Sequence, residues 1–165
     1  MIRPTIPWPD QCLRSKANTV GDISYEIRTI WDDMIDKMEA MPGVGLAAPQ
    51  IGLSLRLCVV DASDERGQTI RMADPDFVGA QGDDLRDHEE ASPNLPGVSA
   101  KITRPAKVTV EYTDDKGERV RKTLEGLWAT SVQHQLDHLN GRMYFDNLSK
   151  TKRDMLLRRA KKARL

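Results

Sequence analysis

The order of periodic segments predicts an α+β fold, with antiparallel sheets around a helix in the C-terminal half that carries a histidine pair. Three observations predict it. A helical stripe runs from Ile23 to Met38, alternating apolar residues recur through the middle, and helical periodicity returns around His134 and His138. Helices grouped at the ends with strands between them argue against a wound parallel sheet. The 165 residues suit one domain, 1–165, closed by a basic helix over 149–165.

Residues 1–20 are rich in Pro and polar groups and are expected to pack as an irregular arm. Asp22 or Ser24 can cap the first long helix. Ile23, Ile27, Ile30, Trp31, Met34, Ile35 and Met38 form its buried stripe, and Pro42-Gly43 stops it. Gly43-Val44-Gly45-Leu46-Ala47-Ala48-Pro49-Gln50 follows. Small residues there let the backbone approach another chain or a ligand closely, and a strand edge here could pair with an extended peptide. No Lys-Ser/Thr follows the glycines, so this is no phosphate loop. Leu53, Leu55, Leu57 and Val59 alternate with polar residues and predict a strand over 53–60. A shorter strand is expected near 69–73, after a turn-rich stretch.

Asp83-Asp84-Leu85-Arg86-Asp87-His88-Glu89-Glu90 reads as a solvated acidic stretch. The segment 89–97, with Pro93 and Pro96, reads as a surface loop. Val108, Val110 and Tyr112 begin a hairpin that turns at Asp114–Gly117 and returns through Val120 and Leu124. Gly126 opens the histidine helix and Asn140-Gly141 ends it. Ser149 caps the last helix.

Composition narrows the function. Lys plus Arg and Asp plus Glu are both 25, so no overall field attracts nucleic acid, and no DNA partner is expected. Cys12 and Cys58 are too few for a disulfide framework. The N-terminus has no apolar run of signal length and no later segment could span a membrane, so a soluble cytoplasmic protein is expected.

The chemistry centres on Gln133-His134-Gln135-Leu136-Asp137-His138. Histidines four apart share a helix face and can reach one metal ion. In H-E-x-x-H helices the Glu is the base that deprotonates a metal-bound water. Here that position is Gln135, whose carboxamide has no titratable carboxylate.

Three segments in this order resemble peptide deformylase. That family carries G-h-G-h-A-A-x-Q (h apolar), E-G-C-L-S and H-E-x-D-H. Gly43–Gln50 matches the first throughout, 133–138 matches the third except at Gln135, and 90–94 keeps only Glu90 of the second. The likeness extends over nearly the whole chain. It implies descent from metal-dependent hydrolases that remove formyl from the N-terminal formyl-Met of nascent chains.

The family's ligand positions fall on His134, His138 and Ser92. A thiolate at the last would be a strong anionic ligand, whereas a serine hydroxyl binds divalent metals weakly. Iron, zinc or nickel would therefore bind at reduced affinity or not at all. The base position is Gln135, and loss of a positioned base removes about 10²–10⁴ in rate. The oxyanion donors would be Gln50 and the backbone N–H of position 93. Pro93 has no N–H, and losing one such donor removes about 10²–10³. These groups serve one transition state, so the losses do not add.

A single engineered Glu→Gln exchange would not also rewrite Ala91-Ser92-Pro93-Asn94, so natural divergence is the reading. By resemblance, Leu127, Thr130 and Ser131 line the pocket for the substrate's first side chain. Val44 and Gly45 form the edge along which a peptide lies, with Ala91 opposite. Arg104 is the expected partner of Asp137. The expected function is a deformylase-like protein that has lost the ordinary mechanism and keeps a cleft for N-terminal peptides.

Two alternatives stand beside it. One is an active metallohydrolase for formyl or other N-acyl peptides, its ligand set rebuilt with His88 or Glu89. The other is a non-catalytic peptide- or ribosome-binding module acting through the basic C-terminal helix.

Overall fold

The computed structural model describes residues 2–164. The N-terminal arm is irregular apart from a four-residue helix, α1 (Gln11–Arg14), capped by Asp10. Ser24 takes the cap of α2 (Tyr25–Ala40) by accepting from the Ile27 N–H. Ile30, Trp31, Met34 and Met38 of its stripe are buried against one face of the main sheet.

That sheet is antiparallel and has the order β1 (Gly45–Ala47), β2 (Leu57–Val60), β3 (Ile70–Ala80), β6 (Lys107–Thr113), β7 (Arg119–Glu125). A separate two-stranded ladder joins β4 (Leu85–Glu90) to β5 (Ala100–Pro105). On the sheet's other face, Cys58, Met72, Val108 and Val110 pack with Ala129, Val132, Leu136 and Leu139 of α3 (Leu127–Leu139). This burial anchors the histidine helix. Its fully buried apolar side chains contribute about 1.5–3 kcal/mol each.

Several sequence expectations are corrected. The strand expected over 53–60 joins the sheet ladder only from Leu57; before it, Leu55 forms an isolated parallel bridge with Asn18, and Leu53 and Leu55 take part in tight backbone turns. The strand expected to be short is the longest, running to Ala80 through two register shifts against β6. The acidic stretch is not a solvated loop. It is β4, one face of which turns toward α3 while Asp87 and Glu89 face outward. The segment after it buries Ser92, Asn94 and Leu95.

Asn94 explains that burial. Its Nδ2 donates to the carbonyls of Ile6 (2.6 Å) and Gln50 (2.9 Å), and its own carbonyl accepts from the Trp8 N–H at 2.8 Å. One side chain thus stitches the arm, the loop and the first motif together. The last helix, α4 (Lys150–Ala163), is capped by Ser149 and buries Leu156 and Ala160 beside Leu13, Phe145 and Leu95.

Candidate active site

The three motifs converge on one cleft of about 390 Å³. Val44, Gly45, Gln50, Ala91, Ser92, Leu127, Thr130, Ser131, His134 and Gln135 all line it. His138 lies behind His134, fully enclosed.

β1 is the edge strand of the main sheet. Val44 O accepts from the Asp61 N–H on the β2 side at 3.0 Å, and Gly45 stands opposite Val60. Hydrogen-bonded and non-bonded pairs alternate in antiparallel ladders, so the Gly45 N–H and C=O point away from β2, toward the cleft. Gly45 is required by close approach. A Cβ there would lie 2.4 Å from Gln135 Nε2 and 2.5 Å from Ser131 Oγ. Ser131 Oγ also donates to Val44 O at 2.8 Å, tying this edge to α3.

The edge is buttressed from below. Arg66 donates to Gly43 O (2.7 Å) and Asp61 O (2.9 Å) and pairs with Glu39. Burial pushes the Asp61 carboxyl up, yet hydrogen bonds from Ser63 and Gln68 and the Arg66 charge outweigh it. The group sits below its ordinary value.

Behind the histidines lies a buried ionic cluster. Arg104 forks onto Glu90 at 2.7 and 2.9 Å and reaches Asp137 at 3.0 Å, the partner expected for that acid. Burial pushes the Glu90 carboxyl up, but hydrogen bonds from Arg104 and His134 outweigh this and hold it low. Glu90 is therefore an anionic acceptor, and His134 Nδ1, 2.8 Å away, donates to it. That fixes the tautomer, leaving a lone pair on His134 Nε2. His138 Nε2 lies 3.1 Å from this lone pair and so carries the proton. Burial above all, with the nearby Arg104 charge, holds the His138 pKa well below its ordinary value, so this ring is neutral.

How well do these residues fit a divalent metal? Two bonds of about 2.0–2.1 Å at a tetrahedral angle place their nitrogens about 3.3 Å apart, so the pair has a suitable bite. His134 also has the carboxylate support usual for a ligand histidine. The rest does not fit. Binding through His138 Nε2 would move its proton to Nδ1, a buried atom with no hydrogen-bond partner.

The third position is engaged elsewhere. Ser92 Oγ donates to Asn94 Oδ1 at 3.0 Å, and Gln50 Nε2 donates to the same oxygen at 2.9 Å. Among the described residues, no three His, Cys, Asp or Glu side chains gather as a metal-holding group. No chemical step through a metal follows from this donor set.

Gln135 is buried and its Oε1 lacks a partner. Gln50 is held by Ala47, whose N–H donates to its Oε1 at 3.0 Å, and by Asn94. One N–H of its amide is therefore engaged by Asn94, and the residue lines the cleft.

Sequence reasoning missed Arg86, whose Nη1 donates to Thr130 Oγ1 at 2.9 Å. It also missed the anchoring role of Asn94. Two-residue spacing back from Glu90 through His88 was the available signal for Arg86.

The polypeptide deformylase family model matches residues 2–154. A peptide deformylase of Rhizobium meliloti strain 1021 is 42% identical over 164 residues, covering 98% of this chain and 94% of that protein. One from Xylella fastidiosa strain M12 is 38% identical over 99% of this chain and 96% of its own length. The crystal structure of a peptide deformylase from Legionella pneumophila superposes with a TM-score of 0.91 at 38% identity, covering 99% and 96% of the two chains. The shared motifs, the helix carrying His134 and His138 and the superposable fold place this chain in the polypeptide deformylase family.

Proposed function

We propose that this chain is a deformylase relative that binds N-terminal peptides in its cleft without carrying out ordinary metal-dependent deformylation. The observation that supports it most is the engagement of Ser92 by Asn94, away from the histidine pair. Gln135 in place of a base and Pro93 in place of an N–H donor point the same way. The outward-facing backbone of Gly45 supports the binding half, since an extended peptide can add to a free strand edge there.

The test joins two measurements on the purified protein: elemental analysis, and titration with short N-formyl and free peptides followed by NMR. Peptide shifts at Gly45 without stoichiometric metal fit the reading. Turnover of a formyl-Met peptide within about a hundredfold of an ordinary deformylase would overturn it.

A rebuilt metallohydrolase is the second reading. His88 favours it, because it shares the inward face of β4 with Glu90 and lines the cleft. Tightly held stoichiometric metal that is lost in His88→Ala would select this reading.

Ribosome contact through α4 is the third element proposed. Lys152, Arg158, Arg159, Lys161 and Lys162 are exposed on α4, and such a cluster suits phosphate-rich RNA. Deleting residues 150–165 is a poor test, because it would strip Leu156 and Ala160 from the core. Replacing those cations with Gln and measuring co-sedimentation with ribosomes at low and moderate salt is the suitable one.

A further inference from the structure

We infer that this cleft favours peptides that begin with a free ammonium group over the same peptides carrying a formyl group. This rests on the peptide-binding reading above and specifies which N-termini the cleft takes.

The fixed charges on the cleft wall are of one sign. Among the described residues its lining holds two carboxylates, Glu89 and Glu90, and no Lys or Arg. The cations nearby are engaged elsewhere. Arg104 is shared between Glu90 and Asp137, and Arg142 reaches Asp137 only from the surface, at 4.0 Å. Arg66 pairs with Glu39 behind the edge strand. Arg86 donates to Thr130 Oγ1 from outside the lining. Lys101 stands opposite Glu89 in the β4–β5 ladder, but the carboxylate within its reach is that of Asp87, at 3.9 Å. Glu89 is exposed at the rim and has no ion-pair partner among the described residues. One carboxylate of the buried cluster and that of Glu89 are thus left in excess. A cleft lined by charge of one sign concentrates ligands of the other.

The polar atoms beside the edge strand lean the same way. The Gly45 carbonyl faces the cleft with no strand partner. Gln135 lines the cleft with its Nε2 against Gly45, and its Oε1 is a buried acceptor without a donor. An ammonium brings three N–H donors and no acceptor, which suits these oxygens.

A formyl oxygen needs donors and finds few. Pro93 has no N–H, and the Ser92 hydroxyl donates to Asn94. Gln50 Nε2 is spanned by Asn94 Oδ1 at 2.9 Å and Ser92 Oγ at 3.5 Å. Formylation also removes the positive charge that Glu89 attracts.

The experiment titrates the full chain by isothermal calorimetry at neutral pH with three forms of one peptide. These are Met-Ala-Ala, its N-formyl derivative, and a des-amino form in which hydrogen replaces the α-amino group. The des-amino form is no larger than the free peptide and lacks its charge. Met-Ala-Ala should bind about tenfold more tightly than either of the others, the scale of one charge-assisted hydrogen bond.

Glu89→Gln removes a charge at an exposed rim and should reduce that preference to about threefold. Gln135→Leu should weaken Met-Ala-Ala and leave the formyl peptide unchanged. A thermal melt of each variant confirms that it is folded, and Glu89→Gln carries the test should Gln135→Leu fail to fold. A formyl or des-amino peptide that binds as tightly as Met-Ala-Ala overturns the inference while leaving the peptide cleft intact. A preference that survives both substitutions overturns its assignment to these residues. No binding of any peptide overturns the cleft reading and this inference together.

Discussion

Ser92 Oγ donates a hydrogen bond to Asn94 Oδ1, 3.0 Å away, and both side chains are buried. The position where the family's metal-binding thiolate would stand is thereby built into a structural knot. Asn94 holds Gln50 as well as Ser92, so one residue ties both side chains to the loop.

Restoring Gln135→Glu alone should give neither metal binding nor activity, because Ser92 and Pro93 are unchanged. Ser92→Cys with Gln135→Glu should recover metal first and some turnover second, because a thiolate brings the charge the two imidazoles lack. Elemental analysis and a formyl-Met peptide assay on both variants check this order. Full rescue by the single change would show that Ser92 is no obstacle.

Gly45→Ala should destabilise the protein by about 1–3 kcal/mol, the usual cost of overpacking, since the added methyl meets Ser131 and Gln135 on a rigid helix. Denaturant unfolding measures it. Gly79, where a Cβ meets nothing within 4 Å, is the control, and Gly79→Ala should lack this steric penalty.

Arg104→Met should cost about 3–5 kcal/mol, because it leaves the buried Glu90 and its neighbour Asp137 without their cation. The loss should appear in thermal unfolding whether or not metal is supplied. A shift of less than about 1 kcal/mol would mean that the cluster is not structural.

Asp61 carries a pH prediction. Its folded carboxyl lies below the ordinary value, so its contribution is present above about pH 4 and is lost as pH falls through the folded value. Asp61→Asn should cost about 1–3 kcal/mol at neutral pH by weakening hydrogen bonds from Ser63, Gln68 and Thr69. The gap between wild type and variant should stay constant from pH 7 to about 5 and narrow below about 4. A gap that widens on acidification would contradict the assigned direction.

Much of this was legible in the sequence because it is periodic. The stripe of α2, the alternation in β6, and the helix of the histidine pair each repeat at the spacing of their element. The Ser24 and Ser149 caps and the Asn140-Gly141 stop were legible for local reasons. β4 was not. Its residues are mostly charged, and only pairing with β5 and the cover of α3 make Arg86, His88 and Glu90 an inward face. Arg86 was hidden for the same reason. Asn94 was hidden because its partners lie 44 and 88 residues away in sequence.

Metal content tests the central claim most directly. The purified wild-type chain, incubated with iron, nickel or zinc and desalted, should retain far less than one metal per chain by elemental analysis, while Ser92→Cys with Gln135→Glu retains close to one. Stoichiometric metal on the wild-type chain, surviving desalting and accompanied by turnover of a formyl-Met peptide, would contradict the account.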